Sequence, residues 1–174
     1  MSGFDGDRER VAVAGVRRTI EASDNPAVLG AMKHRNNGRY NGNGREWRTP
    51  PEVFEPLHRE FNFTLDPCTT GDNPLCLLRV YTEEMNGLER PWAPHRVFMN
   101  PPYGREVGAW VRKAHEESMR GALVVGLLPA STDLAWWHNH VVATGAEVRY
   151  IRGRVRFLTD GPYRASGFFA SVIV

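Results

Sequence analysis

Residues 46–174 predict an open α/β sheet, mostly parallel, twisted, with helices on both faces. Three observations carry that expectation. Residues 122–128 form an unbroken apolar run, the pattern of a strand covered on both sides inside a parallel sheet. Short segments of β type alternate with stretches of helical spacing. The tetrapeptide Asn100-Pro101-Pro102-Tyr103 lies between an apolar strand and a helix, at the strand carboxyl end where such sheets hold their ligands.

The elements follow in order. Thr49-Pro50-Pro51-Glu52 opens a helix: Thr49 is a good N-cap, proline is tolerated in a first turn, and Glu52 completes a capping box. Phe54, Leu57 and Phe61 recur at helical spacing, and Pro56, inside the helix, should bend or weaken it. Residues 63–65 read as a short buried strand ending at Asp66-Pro67-Cys68, 75–81 as a second strand, and 95–99 as the strand that delivers the chain to Asn100. Residues 105–119 read as a helix with Val107, Trp110, Val111 and Ala114 on one face. After the 122–128 strand, Ser131-Thr132-Asp133 caps a helical stretch over 134–142. Val148 and Tyr150, then Val155 and Phe157, alternate with polar residues across a break near Gly153, and 168–174 reads as the last strand.

The 174 residues suit one globular domain, with 41% hydrophobic and 24% charged residues. No apolar run is long enough to cross a membrane, and the first residues lack the apolar core of a secretory signal. Cys68 and Cys76 are too few for a disulfide framework, and without a CxxC pair no zinc site is expected, which fits a reducing cytoplasm. Residues 1–45 read as a separate arm. Two short apolar stretches there could form helical turns, and a turn-rich Asn/Gly linker spans 36–44. The net charge of +2 does not by itself point to nucleic acid, but only Lys33 and Lys113 among the 22 basic residues are lysine. Arginine forks match phosphates and guanine edges, although a GC-rich coding genome enriches arginine as well.

Asn100 to Tyr103 carry the most specific chemistry. An exocyclic amine such as adenine N6 is a poor nucleophile, because its lone pair is delocalised into the ring. The Asn100 side-chain carbonyl and the Pro101 main-chain carbonyl can accept its two protons, favouring a pyramidal nitrogen aimed at an electrophile. Pro101 and Pro102 fix φ and hold those carbonyls rigidly, and Tyr103 offers a face for stacking the base. Trp47 and Trp92 read either as core residues or as walls of a cofactor site. Trp136-Trp137, with His138 and His140, reads as a packed helix face. Arg149, Arg152, Arg154 and Arg156 form a basic stripe that is either a solvated strand face or a phosphate contact, which Arg105 and Arg164 could extend.

Three of these motifs occur in the order Thr49-Pro50-Pro51-Glu52, Leu65-Asp66-Pro67-Cys68, Asn100-Pro101-Pro102-Tyr103. That order resembles the γ-type DNA adenine-N6 methyltransferases. The chain is more similar still to the small phage-type DNA N6-adenine methyltransferases. Trp47 to Pro50, Phe63 to Asp66, Gly87 to Trp92, Asn100 to Tyr103, Leu127 to Ala130 and Arg152 to Phe157 match that pattern, over residues 46–174.

The resemblance implies a Rossmann-like methyltransferase fold, S-adenosylmethionine as cofactor and double-stranded DNA as partner. It implies that Thr49 and Pro50 lie against the methionine portion, with the helix N-terminus favouring its carboxylate, and that Trp47 and Asn100 also bind the cofactor. It further implies that Asp66 accepts from the cofactor with Cys68 nearby, that Asn86 stands at the ribose position, and that Asn100, Pro101, Pro102 and Tyr103 hold the adenine. Arg105, Arg152, Arg154 and Arg156 become the expected DNA contacts. Two departures stand out. No glycine-rich loop follows the first strand, where only Thr69-Thr70-Gly71 is available, and Asn86-Gly87 replaces a more usual Asp-Gly. The expected activity is methyl transfer to adenine N6 of a DNA base turned out of the helix. The alternatives are an amino-methyltransferase of RNA or of protein glutamine, and a non-catalytic nucleic-acid-binding module on the same fold.

Overall fold

The computed structural model describes residues 20–21, 40–41, 45–69, 75, 78–159 and 164–174. Its strands are β1 (Ile20–Glu21), β2 (Tyr40–Asn41), β3 (Arg45–Glu46), β4 (Leu65–Asp66), β5 (Arg79–Val80), β6 (Arg96–Met99), β7 (Leu123–Pro129), β8 (Arg149–Arg152), β9 (Arg156–Phe157), β10 (Ala165–Ser166) and β11 (Ser171–Ile173). The helices are α1 (Pro51–Phe61), α2 (Val107–Met119) and α3 (Ala135–Trp137), the last continuing as a π-helix over His138–Val142. None of the described helices is long and apolar enough to cross a membrane.

Seven strands form the main sheet in the order β1-β8-β11-β7-β6-β4-β5. Strands β5, β4, β6 and β7 run parallel, β11 runs against both β7 and β8, and β1 is parallel to β8. Two separate hairpin pairs, β2 with β3 and β9 with β10, complete the β structure. From β4 the chain passes to β5 on one side, then returns through β6 on the other. The sheet therefore changes winding direction between β4 and β6, and at such a point the connections diverge and open a crevice at the strand carboxyl ends.

Alternation along the strands sends side chains to two cores. Val97 and Met99 of β6, with Leu128 and Val172, pack with Val107, Trp110, Val111 and Ala114 of α2 and with Trp137 and Val141. Phe98, Leu127 and Ile173, one residue out of phase, pack with Val53, Phe54 and Leu57 of α1. Helices thus cover both faces, and the period of two explains why β6 and β7 read as continuous apolar runs.

Several elements differ from the sequence reading. The N-cap of α1 is Pro50, in extended conformation with no side-chain cap, and no capping box forms. A residue before proline is driven out of the helical region, so Thr49, ahead of Pro50, stays outside the helix. Helix α1 runs uninterrupted through Pro56. The strand expected over 75–81 is formed at Arg79–Val80, and residues 76–77 lie outside the described residues. Most of the expected N-terminal arm and its linker also lie outside them; its described parts are β1, β2 and Arg45 of β3. In β8 the inward residue is Ile151, while Tyr150 is 49% exposed. Arg149 and Ile151 face α1, whereas the Val148 face loses its helical cover beyond Val148 itself.

Candidate active site

Asn100 follows β6 at the winding change and is buried. Its Nδ2 donates to the main-chain carbonyl of Trp47 at 3.0 Å. Because that partner is an acceptor, the amide has one orientation, with Nδ2 on the Trp47 carbonyl and Oδ1 directed away from it. Pro101 is buried and Pro102 half-buried. The Tyr103 hydroxyl donates to the Leu127 carbonyl at 3.0 Å, and its ring meets Phe169 and Phe157 edge-on at 5.1 and 6.2 Å. Tyr103 is therefore braced against β7 by its polar end.

Trp47, Thr49 and Pro50 form the extended approach to α1. Arg48 and Leu158 exchange two main-chain hydrogen bonds of 3.0 Å, and the buried Arg48 side chain donates to the Thr159 carbonyl at 3.3 Å. This clamp presses Trp47 against Phe157, Phe168 and Phe169, with ring centroids 5.0, 5.8 and 5.9 Å away. Trp47 Nε1 and Thr49 Oγ1 are buried without a hydrogen-bond partner among the described residues. Buried polar groups are normally satisfied, so two orphans on alternate residues beside Asn100 suit a polar ligand.

Asp66 and Cys68 leave β4 next to β6, in the register that pairs Leu65 with Val97. Both are buried, and Asp66 Oδ1 accepts from the Cys68 amide at 3.1 Å. The loop is tied to the end of β5 by Tyr81 N–H to the Asp66 carbonyl at 2.9 Å and Thr69 N–H to the Tyr81 carbonyl at 3.1 Å. Asn86 is exposed, with a left-handed φ of 49° that asparagine tolerates better than most residues. Its neighbour Gly87 packs directly on Pro67, where an added Cβ would run into the Pro67 carbonyl oxygen. The Asn86-Gly87 turn thus lies against the Asp66-Pro67 loop even though the Asn86 side chain is at the surface.

A device absent from the sequence reading holds that turn. Glu117, on the apolar face of α2, is 1% exposed. One carboxylate oxygen accepts the main-chain N–H groups of Trp92 and Ala93 at 2.7 and 3.1 Å, and the other accepts Lys113 and Arg120 at 2.8 and 2.6 Å. Burial alone would raise its pKa, but these four hydrogen bonds outweigh it and hold the group at about 2. Trp92, fully buried, in turn donates from Nε1 to the Gly87 carbonyl at 2.8 Å. The detectable signal was an acid three residues past Ala114, on the stripe of Val107, Trp110, Val111 and Ala114.

Of the basic residues, Arg105, Arg152, Arg154 and Arg156 are exposed. The last two lie on the outer side of the β9–β10 ribbon. Arg149 departs from the stripe: it forks onto Glu60 at 2.6 and 2.7 Å, contacts Glu147 at 2.9 Å and lies over the Phe61 ring. Its pKa is raised, first by the Glu60 hydrogen bond, and it acts as a brace between β8 and α1. Arg164 pairs with Glu52, the residue expected to cap α1. A cavity of about 640 Å³ lies against the central strands β7 and β11, among Leu123, Val174, His115 and His140, and includes neither Asp66 nor Asn100.

The profile of the DNA N-6-adenine-methyltransferase (Dam) family matches residues 40–173. The DNA N-6-adenine-methyltransferase of Haemophilus phage HP1 is 29% identical over 117 residues, which cover 66% of this chain and 66% of that protein. YfdM of Escherichia coli (strain K12), which carries a provisional methyltransferase name, is 39% identical over 67 residues, covering 34% of this chain and 72% of that protein. No solved structure matches the chain. A family match over most of the chain, on a mostly parallel α/β sheet with Asn100 at its winding change, leads to one conclusion: the chain belongs to the DNA N-6-adenine-methyltransferase family.

Proposed function

We propose that this protein transfers a methyl group from S-adenosylmethionine to adenine N6 in double-stranded DNA. The observation that carries the reading is the single orientation of the Asn100 amide, its Nδ2 spent on the Trp47 carbonyl, at the change of winding between β4 and β6. Family membership supports DNA over RNA or protein as the substrate. A relative encoded by a phage supports phage or prophage origin and action in a host cytoplasm. The parallel run β5-β4-β6-β7 supports the Rossmann-like methyltransferase fold, with residues 46–174 as the catalytic domain.

The residues present fit the cofactor. Thr49 Oγ1 and Trp47 Nε1 are orphaned donors, and Asp66 is a buried acid on the neighbouring strand end. Thr49, Pro50, Asp66 and Cys68 would hold it, with the Asn86-Gly87 turn as the outer wall. S-adenosylmethionine, when bound, supplies a methyl made electrophilic by the adjacent sulfonium. Asn100 Oδ1 and the Pro101 carbonyl accept the two N6 protons, pointing the lone pair outward, and Tyr103 supports the base from the side. In transfer the N6–methyl bond would form as the sulfur–methyl bond of the bound cofactor breaks, and one N6 proton would leave to water. Orientation supplies most of the rate, so no separate general base is needed. Arg105, Arg152, Arg154 and Arg156 contact phosphates. Incubation with tritiated S-adenosylmethionine and unmethylated duplex DNA, followed by nucleoside analysis, tests the reading: label is expected in N6-methyladenine, and its absence with the wild-type chain sinks it.

A further inference from the structure

Phe168 is a large aromatic side chain that the fold leaves in water, 78% exposed. It lies in the return from β10 to β11. The ribbon register pairs Ala165 with Phe157 and Ser166 with Arg156, and Gly167 N–H bonds the Val155 carbonyl at 3.1 Å. One side of the ribbon, with Val155 and Phe157, is therefore buried against Trp47, while Arg154, Arg156 and Ser166 line the exposed side. Phe168 emerges where the ribbon ends. Its ring centroid is 5.8 Å from that of Trp47, the residue whose carbonyl holds Asn100. An exposed phenyl ring thus packs on the residue whose main chain holds the Asn100 amide, at the end of the ribbon that carries the exposed Arg154 and Arg156.

A duplex keeps adenine N6 inside the stack, so an enzyme acting on it must extrude the nucleotide and bear the cost of unstacking. Apolar side chains beside a basic surface lower that cost by occupying the vacated space between base pairs. We propose that Phe168 enters the DNA base stack where the target adenine leaves, while Arg154 and Arg156 hold the flanking phosphates. The ribbon is then the element that both grips and opens the duplex. This inference rests on the methyltransferase reading above and adds the residue that makes the base accessible to Asn100.

The test compares wild type, Phe168→Ala and Phe168→Trp on unmethylated mixed-sequence duplex DNA several kilobases long. Methyl transfer is followed from tritiated S-adenosylmethionine, with S-adenosylhomocysteine affinity and thermal melting measured in parallel. Phe168→Ala is expected to lower kcat roughly ten- to hundredfold, the rate equivalent of losing a few kcal/mol of stack filling. Melting and S-adenosylhomocysteine affinity should stay unchanged, and Phe168→Trp should restore the rate. Wild-type kcat in Phe168→Ala overturns the proposal, as does a loss that tryptophan fails to restore. So does a Phe168→Ala chain that elutes as a smaller species, because the ring then serves contact with a second copy. A wild-type chain that labels no adenine sinks the methyltransferase reading itself, a result distinct from all of these.

Discussion

The main-chain carbonyl of Trp47 accepts the Asn100 side-chain amide at 3.0 Å, across 53 positions of sequence. In the proposed mechanism that contact uses the half of the amide that transfer does not need and leaves Oδ1 for the substrate. Asn100→Ala should therefore lower single-turnover methyl transfer by about 10²–10³, the scale for losing one positioned polar group at a reacting centre. S-adenosylhomocysteine affinity, measured by calorimetry, should be unchanged. A chain that no longer binds it would show Asn100 to be part of the scaffold.

Glu117 gives the fold a pH dependence of defined sign. Its pKa lies at about 2 against an ordinary 4.5. The stabilisation is thus fully present above the ordinary value and lost as pH falls from about 4.5 toward about 2. The shift corresponds to about 3 kcal/mol. In denaturant titrations the wild type should weaken across that window, while Glu117→Gln should be less stable near neutrality and lack that part of the slope. Parallel pH profiles for the two proteins would refute the assignment.

Gly87 is required by space, because a side chain there meets the Pro67 carbonyl oxygen and Trp110. Gly87→Ala should cost about 2–3 kcal/mol through overpacking. Because Pro67 directly follows Asp66, S-adenosylhomocysteine affinity should fall with it. An unaltered unfolding midpoint would mean that the two loops do not press together.

Two arginines from one stripe should separate cleanly. Arg149→Ala removes the fork to Glu60 and should lower stability by about 1 kcal/mol with no change in the salt dependence of DNA binding. Arg154→Ala should leave stability unchanged and reduce the slope of log affinity against log salt by about 1. A salt slope that responds to Arg149 and ignores Arg154 would contradict the assignment of these two side chains.

The legible parts of this chain were those governed by local rules. The apolar period places β6, α2 and β7, and the proline pair after β6 marks Asn100. Asp66 is visible as an acid ending a buried segment. Long-range partnerships were hidden: nothing near Arg149 announces Glu60, 89 positions earlier, and nothing near Asn100 announces Trp47. Thr49 misled because its capping signature is overridden by the two prolines that follow. Strands of two residues, such as β4 and β5, are too short for a period to declare itself, and the alternation read through Val148 and Tyr150 misled because the apolar Ile151 between Tyr150 and Arg152 is the buried residue.

The clamp between Arg48 and Leu158 also bears on when the protein becomes competent. It closes a loop of about 110 residues, and a contact of that span is expected to form late in folding. Asn100 takes its orientation from Trp47, and Trp47 is seated by that clamp and by Phe157 and Phe169. A nascent chain on the ribosome that displays the complete Asn100 tetrapeptide has therefore not yet set the amide. Copies that end before Leu158 lack the clamp and are expected to transfer no methyl group.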